Sequence, residues 1–288
     1  MEEIIYLNGN LIPAAKAKIS PFNFGFLYGY GIFETMRSYG GSIFRLDPHL
    51  ARLSEAAKIL GIADKLDEFD LDQACHAVLK ANNLFDARLR LMVTGGEGDI
   101  IPNPDTCNGI TVFIVARKLV PPSAEKYERG YKAILSSYRR HGSSLLSRLK
   151  STSYLENVLA RQEARDAGVD EVVLLNDQGF VAEGSTTNIF LLNQQLLITP
   201  SIESGALPGI TRQVILELAK SLGITTVVKR VELGQLRAAA EAFLINSVIE
   251  IVPLTRLDNK PIGRGKLGPV TQHLMSSYQK LVARELRR

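Results

Sequence analysis

Residues 171–199 decide the fold, and they read EVVLLNDQGFVAEGSTTNIFLLNQQLLIT. Four short apolar runs lie within this stretch, at 171–176, 179–182, 188–192 and 195–199. Runs of this length, rich in Val, Ile, Leu and Phe and separated by turn-forming residues, are typical of β-strands. Because regular βαβ units place a helix between successive strands, this close succession favours a mixed or barrel-like sheet.

The elements on either side of this stretch continue the second half of the chain. A strand around 131–136 and a helix at 153–167, ended by Gly168, precede it. A helix at 209–222 and strands near 225–229 and 242–246 follow it. The pattern predicts one large domain built on the mixed sheet.

The first half of the chain predicts a smaller α/β domain. A hairpin turns at Asn8-Gly9, a pair that supplies the positive φ angles of a type I′ turn. Apolar periodicity predicts helices at 47–61 and 71–81 and strands at 88–94 and 111–116. Pro121-Pro122 interrupts any periodicity between the halves. The predicted domains are therefore 1–117 and 126–288, joined by a linker at 118–125.

Composition excludes several classes of function. The 288 residues are 45% hydrophobic, which is enough for a sizeable core. The net charge of +4 is mild and the basic residues are scattered, so nucleic acid is not an expected partner. An acidic start at Glu2 and Glu3, without an apolar run of about 20 residues, predicts no membrane segment and a cytoplasmic protein. Cys75 and Cys107 lack CxxC spacing and a histidine cluster, which argues against a metal site.

Two motifs of small polar residues suggest a covalent cofactor site. Lys150 begins KSTSY, and Glu183 begins EGSTTN. A lysine amine can condense with an aldehyde, and a carboxylate can stabilise a nearby cation. The alternative is that Lys150 is one of 34 Lys and Arg residues and merely flanks a helix.

Two further features suggest that an anion binds. In Leu207–Arg212 (LPGITR) a glycine precedes a helix, and the first amides of a helix have no intrahelical acceptor and can bind phosphate. Pro-Gly before a helix is also an ordinary loop and cap. Arg52 lies off the apolar stripe of its helix, either as an anion ligand or as a solvated side chain. His49 and His141 lack the sequence context of a hydrolase triad and are expected to be structural or surface residues.

Taken in order, the motifs resemble the class IV, fold type IV aminotransferase family. This family contains branched-chain aminotransferases, D-amino acid aminotransferases and 4-amino-4-deoxychorismate lyases. The resemblance covers nearly the whole chain, and its carriers are Gly25–Arg37 (GFLYGYGIFETMR), His49–Leu53 (HLARL), Lys150–Leu155 (KSTSYL), Val181–Phe190 (VAEGSTTNIF), Leu207–Arg212 (LPGITR) and Asn246–Pro253 (NSVIEIVP). It implies a two-domain α/β fold with a small N-terminal α/β domain and a larger C-terminal pseudo-barrel domain, pyridoxal 5'-phosphate (PLP) as cofactor, and a homodimer.

The resemblance also implies a role for each matching residue. Lys150 binds PLP as a Schiff base and moves the proton during catalysis, while Glu183 faces the pyridine nitrogen. The other implied cofactor ligands are Arg52, Ile210, Thr211 and Ser247 at the phosphate and Tyr154 at the phenolic oxygen. The implied lining of the substrate pocket is Tyr28, Phe33, Arg37 and Val248, of which Tyr28 and Phe33 equally fit a plain core role.

The reaction stays open within the family. Leu257–Thr271 resembles the aminotransferases, which move an amino group between an amino acid, branched-chain or D-type, and a 2-oxo acid. Asn246–Val248, the Glu34–Arg37 block and Tyr154 instead resemble the lyases, which release pyruvate from aminodeoxychorismate and leave 4-aminobenzoate. The longer match favours the aminotransferase. A non-catalytic α/β module that binds a small anion is the remaining alternative.

Overall fold

The structure is a computed structural model that describes residues 2–286 and divides them into two compact units. The first unit comprises residues 2–120, 149–153 and 285–286. The second unit comprises residues 121–148 and 154–284. The chain passes from one unit to the other at Val120 and Pro121, inside the stretch 118–125 that the sequence suggests as a linker.

The first unit is built on a six-stranded antiparallel sheet with the order β2-β1-β6-β5-β3-β4. Along the chain its elements are β1 (Ile4–Leu7), β2 (Asn10–Pro13), α1 (Phe24–Tyr28), β3 (Gly31–Tyr39), β4 (Ser42–Ile43), α2 (Leu46–Ile59), α3 (Ala63–Leu66), α4 (Leu71–Ala81), β5 (Ala87–Glu97) and β6 (Asn108–Lys118). Helices α2 and α4 bury their apolar side chains in one core with the sheet, including Leu53, Val78 and Leu91.

The predicted hairpin and both predicted helices of the first half are confirmed. Asn8 and Gly9 have φ angles of 46° and 91°, both positive, as a type I′ turn requires. The long strand β3 was not predicted. Its first four residues, from Gly31 to Glu34, are all buried, so both faces of the strand are covered and no polar–apolar alternation marks it.

The remaining elements follow from residue 124 onward. They are α5 (Ala124–Arg129), β7 (Tyr131–Arg140), α6 (Leu145–Arg148), α7 (Leu155–Asp166), β8 (Glu171–Asn176), β9 (Phe180–Gly184), β10 (Asn188–Asn193), β11 (Leu196–Pro200), α8 (Ile210–Ser221), β12 (Thr226–Lys229), β13 (Val231–Glu232), α9 (Leu233–Arg237), β14 (Glu241–Asn246), β15 (Glu250–Leu257), β16 (Lys260–Pro261) and α10 (Pro269–Glu285). Within residues 2–286, no helix combines the length and the apolar character that crossing a membrane demands.

The second unit contains a mixed ten-stranded sheet, as the strand spacing predicts. Its order is β12-β11-β10-β14-β15-β7-β8-β9-β13, with β16 paired to β15, and the sheet is a nearly closed pseudo-barrel. The pairs β11/β12, β15/β7 and β7/β8 are parallel, and the other pairs are antiparallel. The core of this sheet contains Val173, Ile189, Leu244 and Val252.

The segment around Lys150 belongs to the first unit, whereas the sequence suggests a place for it within 126–288. Its backbone pairs with the start of β3. The Phe33 amide donates to the Lys150 carbonyl at 2.8 Å, and the Thr152 amide donates to the Gly31 carbonyl at 2.8 Å. These long-range hydrogen bonds fix the segment against a strand more than a hundred residues earlier in the chain.

A buried charged cluster lies between β3 and α2 in the first unit. Arg52 donates from Nε to Glu34 Oε1 at 2.7 Å and from Nη2 to Glu34 Oε2 at 2.6 Å. His49 Nδ1 lies 2.7 Å from Glu34 Oε2. Glu34 is 1% exposed and His49 is 2% exposed, so the carboxylate depends on these partners for its solvation. Arg52 is therefore not the solvated side chain that its position alone permits.

The surroundings shift the ionisation of this cluster. Burial by itself raises the pKa of the Glu34 carboxyl, but the Arg52 charge and the hydrogen bonds from His49 and Arg52 outweigh it and lower the pKa from 4.5 to about 2. Burial lowers the pKa of His49 below 6.5, and the charges of Arg52 and Lys150 act in the same direction against the pull of Glu34. The cluster therefore holds an ionised carboxylate and a neutral imidazole.

We predict that the unfolding temperature falls as the pH drops below 6.5, the ordinary pKa of histidine. Between the lowered pKa of buried His49 and 6.5, the unfolded chain binds more protons than the folded chain, so acid favours unfolding. Glu34 adds a further loss below 4.5, which is complete only as the pH approaches about 2. His49→Asn keeps a side-chain donor but removes the ionisation, so the loss between 6.5 and 4.5 should shrink. Unfolding temperatures across this pH range measure the effect.

His76 provides the control for this prediction. It is an exposed residue of α4, with Nδ1 at 3.3 Å from Asp72 Oδ1. The variant His76→Asn should keep the pH dependence of the original protein. Parallel curves for the original protein and the His49→Asn variant would show that another group causes the loss.

Candidate active site

Lys150 lies beside an aromatic ring in the first unit. Its Nζ is 4.6 Å from the centre of the Phe33 ring, and the side chain is half-buried. Phe33 is 1% exposed and lies on the face of β3 that also carries Thr35, because side chains alternate along a strand. The ring therefore gives the lysine amine an apolar neighbour and an attractive π face.

Arg90 is a second cation on the same ring, and the sequence analysis missed it. Its Cζ is 3.5 Å from the centre of the Phe33 ring, and its Nη1 donates to Thr35 Oγ1 at 3.3 Å. Arg90 lies opposite Thr35 in the β3/β5 pairing. In the sequence Arg88 and Arg90 alternate with Leu89 and Leu91, and no motif distinguished Arg90 from a surface arginine.

Tyr28 and Arg37, two predicted pocket residues, have contacts of their own. Tyr28 is 37% exposed and its hydroxyl donates to the Ile100 carbonyl, so it is not a core aromatic. Arg37 lies on β3 with its Cζ 4.3 Å from the centre of the Tyr39 ring. The structure thus brings Phe33 together with Lys150, and the place of Tyr28 and Arg37 in a pocket stays a prediction.

Glu183 stands at the end of β9 in the second unit and is 5% exposed. Arg140 Nη2 donates to Glu183 Oε1 at 2.7 Å. The Leu207 amide donates to Glu183 Oε2 at 2.9 Å, and Asn188 Nδ2 lies 3.5 Å from the same oxygen. These three partners are donors, as an ionised carboxylate requires. Arg140 was not singled out from the sequence, where it is one basic residue among many.

Asn188 ties this carboxylate to the start of helix α8. Its Nδ2 donates to the Leu207 carbonyl at 2.9 Å. A Cβ atom added to Gly209 would lie only 2.1 Å from Asn188 Oδ1, so a larger residue there would displace the Asn188 amide group. The motifs around Glu183 and Gly209, distant in sequence, therefore form one local structure.

The start of α8 and the turn after β14 form a polar cluster suited to an anion. Gly209 is the N-cap of α8, so the amides of Ile210 and Thr211 are in the first turn and lack an intrahelical acceptor. Thr211 Oγ1 and Ser247 Oγ are 3.5 Å apart. Hydroxyls and amides converging at a helix N-terminus bind phosphate well.

Two other predicted residues occupy defined backbone positions in the second unit. Tyr154 is the half-buried N-cap residue of α7. Val248 follows β14, and its amide donates to Asn246 Oδ1 at 2.9 Å. Their assigned roles at the cofactor and the substrate stay predictions.

The groups that the two units hold match the chemical parts of PLP. Lys150 carries an amine that could condense with the aldehyde, and Glu183 is a carboxylate that could pair with the ring nitrogen. Gly209, whose missing Cβ leaves room beside Asn188, opens a helix that suits the phosphate. The donor set therefore fits this cofactor.

Comparisons with known proteins agree with this chemistry. The family model for amino-transferase class IV matches residues 31–257. A putative branched-chain-amino-acid aminotransferase of Methanocaldococcus jannaschii is 40% identical over 96% of this chain and 95% of its own. An aminodeoxychorismate lyase of Bacillus subtilis is 36% identical over 96% of this chain and 94% of its own.

Solved structures give the same result. The branched-chain amino acid aminotransferase of Escherichia coli is similar with a TM-score of 0.90 and 31% identity, over 98% of this chain and 95% of that one. The branched-chain amino acid aminotransferase of Thermobaculum terrenum, solved in its PLP-bound holo form, gives a TM-score of 0.84 at 28% identity, over 98% and 94% of the two chains. The chain therefore has the fold type IV architecture and belongs to the class IV aminotransferase family of PLP-dependent enzymes.

Proposed function

We propose that this enzyme moves an amino group between a branched-chain amino acid and a 2-oxo acid. The observation that carries the proposal is the Lys150 amine over the buried ring of Phe33, with the Arg90 guanidinium on the same ring. An apolar surface beside a cation suits an amino acid that has an apolar side chain and a carboxylate. The names of the relatives from Methanocaldococcus jannaschii and Escherichia coli support the same substrate class.

In this proposal the predicted residues have separate tasks. PLP, when bound, supplies an aldehyde that condenses with amines and a ring that accepts electrons from the substrate carbon. Lys150 would hold it through Nζ and, once the incoming amino acid has taken that place and freed the amine, would carry a proton to and from the substrate carbon. Glu183, held by Arg140, keeps the ring nitrogen protonated. Arg52, oriented by the bidentate contact with Glu34, binds the phosphate.

The remaining predicted residues complete the proposed site. The amides of Ile210 and Thr211 and the Ser247 hydroxyl would also bind the phosphate, since both amides lie in the first turn of α8 and the Ser247 hydroxyl lies 3.5 Å from that of Thr211. Tyr154 would contact the phenolic oxygen. The proposed walls of the substrate pocket are Tyr28, Phe33, Arg37 and Val248.

A lyase reaction on aminodeoxychorismate is the second candidate. The Bacillus subtilis relative with that name is 36% identical and matches this chain over almost its full length. Both reactions need the same lysine and the same carboxylate, so the site described above serves either. Transfer from a D-amino acid is a variant of the first candidate in which the carboxylate and the side chain of the donor exchange places, so that its α-proton still points to Lys150.

We also propose that the enzyme is a cytoplasmic homodimer. Cys75 and Cys107 are both free thiols, which suits a reducing compartment. Phe26 and Ile100, in the first unit, are 77% and 70% exposed, and large exposed apolar side chains often mark interfaces. We predict a mass of about twice 31.7 kDa by light scattering in solution. A mass of one chain, independent of protein concentration, would contradict this.

We predict that the PLP-loaded protein converts leucine, isoleucine or valine with 2-oxoglutarate into glutamate and the matching branched-chain oxo acid. The physical reason is the apolar ring beside the lysine amine. Chromatography of both products, with L- and D-donors in parallel, measures the transfer and its stereochemistry. If the protein consumed aminodeoxychorismate, released pyruvate and transferred no amino group from any amino acid, the aminotransferase proposal would be wrong and the lyase would be the function.

We predict that Lys150→Ala abolishes the long-wavelength absorbance of the PLP-loaded protein and lowers kcat by about a hundredfold to ten-thousandfold, the range typical of a lost acid–base group. Lys58→Ala is the matched control, because Lys58 is an exposed lysine of the same unit whose Nζ lies 2.6 Å from Glu55. It should leave both the spectrum and kcat unchanged. An unaltered spectrum in Lys150→Ala would exclude the covalent role of this residue.

A further inference from the structure

Glu171 is a buried carboxylate at the start of β8 that the proposed mechanism does not use. It is 1% exposed. Its Oε1 accepts hydrogen bonds from the Ser185 amide at 3.1 Å, from the Ser185 hydroxyl and from the Val172 amide at 3.0 Å. Its Oε2 accepts from the Thr187 hydroxyl at 3.2 Å. Four donors from the protein therefore replace the water that this buried carboxylate lacks.

Most of these donors belong to one short turn. The turn 184–187 consists of Gly184, the last residue of β9, and the three residues that lead to β10, so it begins directly after Glu183 and ends directly before Asn188. Inside it the Gly184 amide donates to the Thr187 carbonyl at 2.7 Å. A Cβ atom on Gly184 would lie 2.2 Å from Thr187 Oγ1 and 3.2 Å from Glu171 Cδ, so the carboxylate and the turn are closely packed.

Two asparagines continue this network through the turn's carbonyls. Asn157 on α7 donates to the Ser185 carbonyl at 2.7 Å. Asn246 donates to the Thr186 carbonyl at 3.1 Å, and its Oδ1 accepts from the amides of Val248 and Ile249, each at 2.9 Å. The turn is therefore connected to the segment that follows β14.

We propose that Glu171 is a positioning residue for Glu183. By binding the hydroxyls of Ser185 and Thr187 and the Ser185 amide, the Glu171 carboxylate fixes the direction in which Glu183 and Asn188 leave their strands. Glu183 then meets the ring nitrogen at the geometry that Arg140 and the Leu207 amide also favour. The inference rests on the proposed role of Glu183.

The partners of Glu171 argue for positioning over charge pairing. Arg161 is a basic side chain near Glu171, with its Nη1 3.7 Å from Glu171 Oε1. The Arg161 side chain is 54% exposed. An ion pair that is so open to water contributes little. Apart from the amide of the adjacent Val172, the short contacts are to the turn, so a change at Glu171 acts first on the backbone next to Glu183.

The test replaces Glu171 by Leu, which keeps the volume but removes every acceptor. We expect PLP to bind about tenfold more weakly, as when a group that orients a ligand-binding residue is removed. Amide hydrogen exchange of residues 184–188 should increase in the cofactor-free protein. The NMR signal of an isotope-labelled ring nitrogen in bound PLP should move towards the unprotonated value. Glu171→Gln, which keeps one acceptor oxygen, should recover most of the affinity.

Glu163→Leu is the matched control. Glu163 is also a carboxylate of the second unit that accepts hydrogen bonds from two hydroxyls, those of Ser136 and Ser137, and from the Ser137 amide. It lies on α7 six residues after Asn157, and the hydrogen bonds given for its carboxylate go to Ser136 and Ser137 instead of the 184–187 turn. Its loss should lower the unfolding temperature without changing the ring-nitrogen signal. If Glu163→Leu changed the ring-nitrogen signal as much as Glu171→Leu, Glu171 would contribute only to general stability and not to the position of Glu183.

Thr187→Val keeps the test decisive if Glu171→Leu does not fold. This variant removes only the hydroxyl contact to Oε2 and should give a smaller shift of the same three measurements. Unchanged exchange and an unchanged ring-nitrogen signal in Thr187→Val and in any folded Glu171 variant would overturn the inference.

Glu183→Gln separates this inference from the proposed function. If Glu183→Gln moves the ring-nitrogen signal and Glu171→Leu does not, only the positioning role fails. If Glu183→Gln leaves that signal unchanged, the assigned role of Glu183 fails, and amide exchange at 184–188 alone decides whether Glu171 fixes the turn.

Discussion

A carboxylate buried away from water must receive its hydrogen bonds from the protein, and this requirement organises the functional parts of both units. Glu34 takes donors from Arg52 and His49, and Glu183 takes them from Arg140, Asn188 and the Leu207 amide. In each case the donors come from different secondary-structure elements than the carboxylate. Satisfying the buried anion therefore fixes the relative positions of those elements, and with them the residues proposed to bind the cofactor.

Local sequence signals predicted much of the fold. Turn residues between short apolar runs predicted the mixed sheet of the second unit, and Asn8-Gly9 predicted the hairpin. The strands and helices without such signals were missed. β3 is buried on both faces at its start, so it shows no alternation, and β15 has the same character. Helix α10 was not predicted either, although its buried residues Leu274, Tyr278 and Leu281 recur every three or four positions, as in an amphipathic helix.

Some residues of the candidate site were predicted from local sequence and others were missed, as with the fold. The motif residues Lys150 and Glu183 were predicted, because a reactive group in a small polar frame is visible in one stretch of sequence. The arginines beside them were not, because Arg90 reaches the Phe33 ring next to Lys150 through strand pairing and Arg140 reaches Glu183 from a distant strand. The place of Lys150 in the first unit depends on backbone hydrogen bonds to β3, which no side-chain pattern encodes. Partners of this kind follow from topology, which sequence patterns describe only coarsely.

The two ways of satisfying a buried carboxylate have different electrostatic consequences. Glu183 has Arg140 as a counter-ion, with both side chains mostly buried, so their interaction is little screened by water. Glu171 is instead satisfied mainly by hydroxyls and amides, which carry no net charge. A second arginine buried at Glu171 would add a positive field near the base of the same turn and compete for the Glu183 carboxylate. Neutral donors at Glu171 leave the ion pair of Arg140 with Glu183 without a competing arginine at the turn, so the turn is held by hydrogen bonds that bring no second cation.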